Sequence, residues 1–411
     1  MEPLNLVQTK KEWLYLFSFL LILLFFSYLF EYSKYRDFIS NEVYFSSFEI
    51  QNIYPKERYT ILKIKSDDIV CFTKYKGDIQ FLKKEYINLY LDTRNISFLE
   101  YLQGFYTHSF GIERNNSSIK QIKQIQYINS QHNNTQLASI FQALFLAIPL
   151  DKHIQEYNSS LGISHLFAIS GFHLGIIVGF FYFILNFIYK EIHKKFFPYR
   201  NKRYDILIFI TLILLYYLYY IGFVPSFLRS FVMFIFALLL LRSNIKIFSY
   251  TTLLLVIFII LILFPKLLFS LSFWFSICGV FYIYLYIQYF QNLNKYISIL
   301  FFNIWIFLAM NPIVHYFFDT TSLHQFLSPL LTLLFVVFYP CMLILHILGL
   351  GGIFDDFIIR FFSMNIAIIH ITTPIYFFIG YIGLSIGAIF NKYIFYILNI
   401  ALLYFVGYLY L

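Results

Sequence analysis

The sequence predicts a polytopic α-helical membrane protein of about ten transmembrane helices with a small N-terminal extracytoplasmic β domain. Of its 411 residues, 60% are hydrophobic and only 12% are charged, which is far from the composition of soluble domains. Several apolar runs reach the roughly 20 residues that a helix needs to cross about 30 Å of hydrocarbon. The strands of a membrane β-barrel would be shorter and strictly alternating, so we expect the spanning elements to be helices.

The chain begins with a predicted anchor and continues into a predicted sheet. Lys10 and Lys11 precede an apolar run that lacks a small-residue cleavage site, so we expect residues 1–31 to form an uncleaved signal-anchor helix. Residues 32–135 are polar and contain short alternating runs that favour strands: "RYTILKIK", "DIVCFTKY", "DIQFL" and "EYINLYL", with a turn at residues 76–78. An OB-like barrel of about five strands fits these runs, and any small β sandwich would also fit.

The rest of the chain is predicted to be helical. Residues 136–164 are expected to form a membrane-surface linker helix and turn, because "LASIFQALFLAIPL" is too short to span comfortably. Residues 165–411 are expected to form one polytopic domain, with spans at 165–189, 204–222, 226–242, 247–264, 270–290, 297–316, 327–349, 374–390 and 393–411. Polar residues interrupt the segment 357–373, which favours the membrane interface over a crossing.

The short loops predict the orientation, because Lys and Arg are retained on the cytoplasmic side. The loop 190–203 has six basic residues and one acidic residue, whereas the loop 311–325 has Asp319 and no Lys or Arg. Arg242, Lys246 and Lys295 then fall on the same side as the basic loop. This places the N-terminus in the cytoplasm and residues 32–164 outside it. Lys266 is the exception, since it falls in a short outer loop.

The stretch "SHLFAISGFHLG", Ser164 to Gly175, places polar groups at the start of an apolar span. On a straight helix, one face could carry His165, Ser170 and His173. The glycines in and before the stretch would instead let the backbone unwind, which membrane proteins tolerate only where the chain lines water or is buried in protein. Two interpretations remain: a polar path, or helix packing with hydrogen bonds between helices.

Catalytic and metal chemistry is not expected. The sequence has no His-x-His or His-Glu-x-x-His motif, and no acidic residue between Tyr157 and Lys190, so three or four converging metal ligands are missing. A Ser170 nucleophile with His173 as base would lack an orienting acid. The three cysteines have no close spacing and are expected to be unpaired. We therefore predict no catalytic residues, no metal and no cofactor.

The motif residues resemble the ComEC family of competence proteins. "GISHLFAISGFHLGII" resembles the family signature of Gly, x, x-His-Leu, x, Ala-Ile-Ser-Gly, x-His. Downstream, further family elements match at Ser226, Arg229, Met233, Pro265, Phe273 and Ser276, so the resemblance covers about residues 135–350. The sequence departs from the family at three places. Ala147 and Ile148 stand where a glycine usually follows an Ala-Leu pair. Phe275 replaces a leucine, and Ser328 replaces an asparagine.

The resemblance implies a channel in the bacterial inner membrane that passes single-stranded DNA into the cytoplasm during natural transformation. Its implied path residues are His165, Ser170, Gly171, His173, Ser226, Arg229, Phe273 and Ser276. The implied partners are a periplasmic DNA-receptor protein and cytoplasmic motor or single-stranded-DNA-binding proteins. Many members end in a metallo-β-lactamase-like domain, whose His-x-His-x-Asp-His motif is not found before Leu411, so we expect the nuclease to be a separate polypeptide and this chain not to be an enzyme.

External contact with DNA would need a local basic patch, because residues 32–135 carry 14 basic and 11 acidic residues. The candidate lysines, with aromatic residues nearby, are Lys63, Lys65, Lys74, Lys76, Lys83 and Lys84. The alternative interpretation of these six lysines is that they belong to an ordinary solvated β surface without a DNA contact. The alternative for the whole chain is a transporter or flippase for an anionic or lipid-linked substrate, which would have similar helices but no use for DNA binding.

Overall fold

A computed structural model describes residues 7, 9–66, 69–77, 83–114, 122–243 and 249–410. An N-terminal sheet precedes a mostly helical remainder, so the predicted combination of a β region with apolar helices is confirmed. The predicted strand "DIQFL", the end of the predicted turn at residue 78, and Lys246 lie outside the described residues.

The first helix, α1 (Lys10–Ile39), connects the apolar run to the sheet without interruption. It begins at Thr9, whose side chain accepts a hydrogen bond from the Glu12 backbone N–H while Glu12 accepts one from Thr9. The helix continues beyond residue 31, the predicted end of the anchor, because its last turns pack on the sheet. Phe38 is buried in the core of the sheet, and the Tyr35 hydroxyl donates to the Ile96 carbonyl over 2.7 Å.

The sheet has six strands in the order β5-β3-β2-β1-β4-β6. The strands are β1 (Val43–Pro55), β2 (Thr60–Ser66), β3 (Ile69–Tyr75), β4 (Tyr86–Asp92), β5 (Phe105–Tyr106) and β6 (Ser109–Arg114), with helix α2 (Phe98–Gln103) before β5. The long β1 pairs with β4 through its first half and with β2 through its second, with a register shift between Ile50 and Asn52. β5 pairs in parallel with β3, while β6, only two residues further along, pairs with β4. One continuous segment therefore joins the two ends of the sheet.

The helical part contains fourteen further α-helices among the described residues. They are α3 (Ile122–Asn129), α4 (Thr135–Leu146), α5 (Lys152–Ser160), α6 (Ser164–Phe167), α7 (Gly171–Phe196), α8 (Lys202–Tyr220), α9 (Pro225–Arg242), α10 (Tyr250–Leu263), α11 (Leu271–Phe290), α12 (Lys295–Phe317), α13 (Ser328–Ile347), α14 (Asp355–Phe362), α15 (Ile375–Gly387) and α16 (Lys392–Tyr410). Two short strands, β7 (Thr320–Thr321) and β8 (Ile369–His370), pair with each other.

Eight helices in the described part of the chain are long and apolar enough to cross a membrane. They are α1, α7, α8, α9, α11, α12, α13 with the turn before it, and α16. Helices α10 and α15 occupy the other two predicted spans, but they have only 14 and 13 residues. All ten predicted apolar runs are thus helical, and eight of them reach spanning length. Within the predicted interfacial segment 357–373, α14 ends at Phe362 and an irregular stretch leads to β8.

The helices pack around two main apolar cores. One core contains residues of α4 and of α7, α8, α9 and α13, and the other contains residues of α11, α12, α15 and α16. Gln325, in the turn before α13, connects them, because its side chain donates to the Ser159 carbonyl over 3.1 Å and accepts from the Tyr410 hydroxyl over 2.8 Å. The left-handed backbone of Ala147, with φ of 58°, ends α4. The chain therefore turns where family members usually have a glycine.

Lys266 holds the sheet to the helical part. Its ammonium lies 3.6 Å from the buried carboxylate of Glu31 on α1 and 4.0 Å from the ring centre of Tyr101 on α2. This contact explains why a lysine occupies a short loop that the charge rule predicts to be outside. The ion pair with Glu31 accounts for the position of Lys266, which the retention of Lys and Arg in the cytoplasm does not explain.

Candidate functional site

The polar motif coincides with a break between two helices. Helix α6 ends at Phe167, Ala168 and Ser170 have extended backbones, and α7 begins at Gly171. Ser170 caps α7: its hydroxyl accepts from the Phe172 N–H over 3.3 Å, and its own N–H donates to His173 Nδ1 over 3.3 Å. The span predicted at 165–189 is present, but its helix starts six residues later than predicted, at Gly171. The straight-helix alternative for His165, Ser170 and His173 is wrong, because the break separates His165 from the other two. The unwinding that the glycines were predicted to permit is confirmed.

Both motif histidines face α13 despite the break. His165 Nε2 lies 3.3 Å from the Thr332 hydroxyl. The fully buried ring of His173 makes edge contacts with Phe335 and Tyr339, at ring-centre distances of 5.4 and 5.1 Å. The Nε2 atom of His173 has no hydrogen-bond partner in the described part of the chain, although the Leu166 carbonyl is nearby. His165, by contrast, is exposed.

Arg229 on α9 is a buried cation without a carboxylate. It is 5% exposed, and no ion pair to it exists among the described residues. Its guanidinium donates to the Ser272 hydroxyl on α11 over 3.0 Å and lies 6.0 Å from the ring centre of Phe273, while its Nε has no partner. Burying a charge without a counter-charge is costly. The Ser272 hydroxyl is the one hydrogen-bond acceptor that the described residues give this guanidinium.

The motif and Arg229 meet through α9. A Cβ atom on Gly171 would lie 3.1 Å from the Ser230 hydroxyl, and that hydroxyl donates to the Ser226 carbonyl over 3.0 Å. Of the residues implied by the resemblance, Ser170 and Gly171 start α7 beside Ser230 of α9, and Ser226 lies one turn before Ser230. Arg229 and Phe273 instead make the contact of α9 with α11, and His173 packs on α13. Ser276 lies about one turn beyond Ser272 on α11, and its side chain makes no hydrogen bond in the described residues. His165 lies on the far side of the break.

Replacing Gly171 with alanine should destabilise the protein by about 1–3 kcal/mol, the usual cost of overpacking. The added Cβ would press on the Ser230 hydroxyl at 3.1 Å. A second change, Ser230→Ala, removes that hydroxyl and should restore most of the loss. Gly175→Ala is the matched control, since no described atom lies within 4 Å of a Cβ there. Thermal unfolding in detergent measures all four proteins. Equal losses for Gly171→Ala and Gly175→Ala would contradict close packing of α7 on α9.

The six candidate lysines do not form one free basic patch. Lys83 lies 2.8 Å from the Asp151 carboxylate, and Lys84 lies 3.0 Å from that of Glu49. These two charges are therefore neutralised within the protein. The sequence could not show this, because the paired residues lie far apart along the chain.

The other lysines extend over β2 and β3. The Lys63 ammonium lies 5.6 Å from the ring centre of Phe72, and that of Lys74 lies 4.0 Å from the ring centre of Tyr59. Burial lowers the pKa of Lys63. Lys65 is half-buried and Lys76 is exposed. This part of the sheet carries positive charge beside aromatic rings, as the sequence predicted for the lysines and their neighbours.

An aromatic ladder, formed by Phe45, Tyr90 and Phe110, covers the neighbouring part of the sheet. Tyr90 on β4 is directly opposite Phe45 on β1 and Phe110 on β6. Successive ring centres are 4.7 and 5.7 Å apart, and the rings of Tyr90 and Phe110 are within 5° of parallel. The three side chains are 55%, 40% and 48% exposed. Gly111 is required beside them, since it has a φ of +63° and a Cβ there would lie 2.9 Å from the Tyr90 ring.

Sequence reasoning missed this ladder. Each aromatic residue occupies an outward position in its own strand, a signal that the sequence does contain. Their alignment depends on two strand registers, and the pairing of β1 with β4 joins segments more than forty residues apart along the chain, as the Phe45 and Tyr90 pair shows. The described residues contain no group of three or more His, Cys, Asp or Glu side chains that could hold a metal ion. Burial raises the pKa of the Cys71 thiol to about 12, so this cysteine is unreactive.

Comparison with known proteins supports the resemblance carried by the motif. A family model described as "Competence protein" matches residues 149–408. Searches among curated proteins and among solved structures found no match. The matched region includes the helix break, Arg229 and most of both apolar cores, whereas α4, which contributes to the first core, precedes it. With its long apolar helices this is a multi-pass membrane protein, and the chain belongs to the competence protein family.

Proposed function

We propose that this protein passes single-stranded DNA across the bacterial inner membrane during natural transformation. The observation that carries the proposal is Arg229, a buried cation without a carboxylate, on the helix that packs against the start of α7. DNA carries a charge at every phosphate, so its path through hydrocarbon must be hydrated and bounded by polar groups. A single cation among serine hydroxyls would bind each passing phosphate weakly, which passage requires.

We propose that the sheet is OB-like and is the external contact for DNA. The strand order, the long β1 shared between two partners and the parallel pairing of β3 with β5 support this assignment. Proteins that bind single strands without sequence preference combine stacked aromatic residues with a positive groove. The aromatic ladder and the lysines on β2 and β3 offer both on adjacent parts of one surface.

The proposed direction of passage is from outside to inside, with residues 32–164 outside and the N-terminus in the cytoplasm. The basic loop between α7 and α8 supports this orientation, because Lys and Arg are retained inside. A reporter fused at Pro198 should report the cytoplasm, and one fused at Asp319 should report the outer side. The reverse pattern would contradict both the orientation and the external position of the sheet.

In this proposal the chain is a conduit without catalytic or metal chemistry. The proposed partners are a periplasmic receptor protein, a nuclease and a cytoplasmic motor or single-stranded-DNA-binding protein. Deleting the gene from its naturally transformable host should leave capture of labelled DNA at the cell surface unchanged and abolish its protected, cytoplasmic form. Normal DNA import in the deletion strain, with loss of a lipid-linked glycan from the envelope, would instead indicate the flippase alternative.

A further inference from the structure

Three ionisable side chains from distant parts of the chain form a buried row. His132, between α3 and α4, has a fully buried side chain. Its Nδ1 lies 2.8 Å from the Asp355 carboxylate on α14, and its Nε2 lies 3.0 Å from Nε2 of His346 near the end of α13. His346 Nδ1 lies 2.7 Å from the Met342 carbonyl. We call His132, His346 and Asp355 the triad.

The hydrogen bonds determine how many protons the triad holds. The Met342 carbonyl can only accept, so His346 must carry a proton on Nδ1. The Asp355 carboxylate accepts at the other end, so His132 must also carry a proton on Nδ1. If both rings were neutral, two Nε2 lone pairs would then face each other at 3.0 Å. A further proton must therefore lie between them, and it is balanced by the charge of Asp355.

The surroundings fit this extra proton. The His132 ring stacks on Phe141, with ring centres 4.8 Å apart and planes within 5°, a contact that favours a positively charged ring. The titratable side chains on the packed elements are Lys123 and Tyr127 on α3, Tyr339, Cys341 and His346 on α13, and Asp355, Asp356 and Arg360 on α14. Of these, His346 and Asp355 are the ones that contact His132 in the described residues.

We propose that the triad is a proton-binding site that holds residues 127–146 against the end of α13. Neighbouring contacts show that the two segments are joined there: Gln131 donates to the His346 carbonyl over 3.1 Å, and the Gly351 N–H donates to Gln131 over 2.8 Å. Loss of the proton leaves two facing lone pairs in a buried position, and the two segments separate. Since α13 also contacts His165 and His173, the bound proton connects the motif to the segment that follows the sheet.

Two spin labels measure the separation in the full-length protein. Asn133→Cys and Leu348→Cys are exposed positions on the two segments, and Cys278 and Cys341 are replaced by alanine. At about pH 6, near the ordinary pKa of histidine, we expect one narrow distance. At about pH 9 we expect a longer, broad distribution. An unchanged distance over this range would overturn the proposal.

Two substitutions test the proton itself. In Asp355→Asn the new amide can donate to His132 Nδ1. In His346→Gln the new amide can donate to His132 Nε2. In either variant every hydrogen bond of the triad can therefore form without an extra proton on the histidine rings. Both should keep the narrow distance at about pH 9, whereas Asp356→Asn, an exposed neighbour, should behave like the parent. Full pH dependence in the first two variants would refute the proposal. So would separation caused by EDTA at about pH 6, because a metal ion would then occupy the place of the proton.

Discussion

Replacing Phe45, Tyr90 and Phe110 together with leucine should abolish measurable binding of single-stranded DNA to the full-length protein. Stacking of a base on an aromatic side chain is worth about 1–3 kcal/mol, so each lost ring should weaken binding by about fivefold to 150-fold. Leucine keeps the outer surface apolar, and the sheet should remain folded because these side chains are exposed. Fluorescence anisotropy of a labelled oligonucleotide with the protein in nanodiscs measures the effect.

The matched control is Tyr54→Leu with Tyr106→Leu, since both side chains are exposed aromatic residues of the same sheet outside the ladder. This double variant should bind nearly as well as the parent. A combined change of Lys63, Lys65 and Lys74 to glutamine should lower the salt dependence of binding, because fewer counter-ions are then released from DNA. If the lysine variant lost all binding while the leucine variant kept it, the DNA contact would lie on β2 and β3 alone.

Much of the fold could be predicted because it depends on local patterns. A run of apolar residues of sufficient length is helical in lipid whatever its neighbours are, since its backbone must satisfy its own hydrogen bonds. The three alternating runs of residues 32–135 that lie within the described residues are likewise strands. The helix break at Ser170 is a different case, because the same residues fit a straight helix on a wheel. The hydrogen bonds between Ser170 and His173 favour a new helix start over continuation.

What could not be predicted depends on contacts between distant residues. The position of Lys266 conflicts with the charge rule until Glu31 is placed 3.6 Å away. The triad joins His132 to residues more than two hundred positions later. Neither contact leaves a periodic signal, because periodicity reports only which face of an element is buried. Single polar residues in apolar surroundings were visible, but their partners were not.

Arg229→Gln should reduce passage of DNA into the cytoplasm about tenfold or more while leaving its capture at the cell surface unchanged. A hydrogen bond from a charged donor is worth about 1.5–3 kcal/mol, and the variant would lose such bonds to each passing phosphate. The amide can still donate to the Ser272 hydroxyl, and an interhelical hydrogen bond is worth only about 1 kcal/mol, so abundance in the membrane should stay near normal. Import of nuclease-protected labelled DNA, normalised to protein in the membrane, is the measurement.

Arg242→Gln is the matched control, because it removes the same charge from the exposed end of the same helix and should leave import unchanged. His173→Gln tests the start of α7. Glutamine is a normal partner of a serine cap at this position, so the start of α7 should persist while the ring contacts with Phe335 and Tyr339 are lost. If the abundance of Arg229→Gln and of His173→Gln in the membrane falls in step with DNA import, these two residues hold the helices together. If DNA import falls while the amount of protein in the membrane stays normal, the DNA itself contacts Arg229 and the helix break at Ser170.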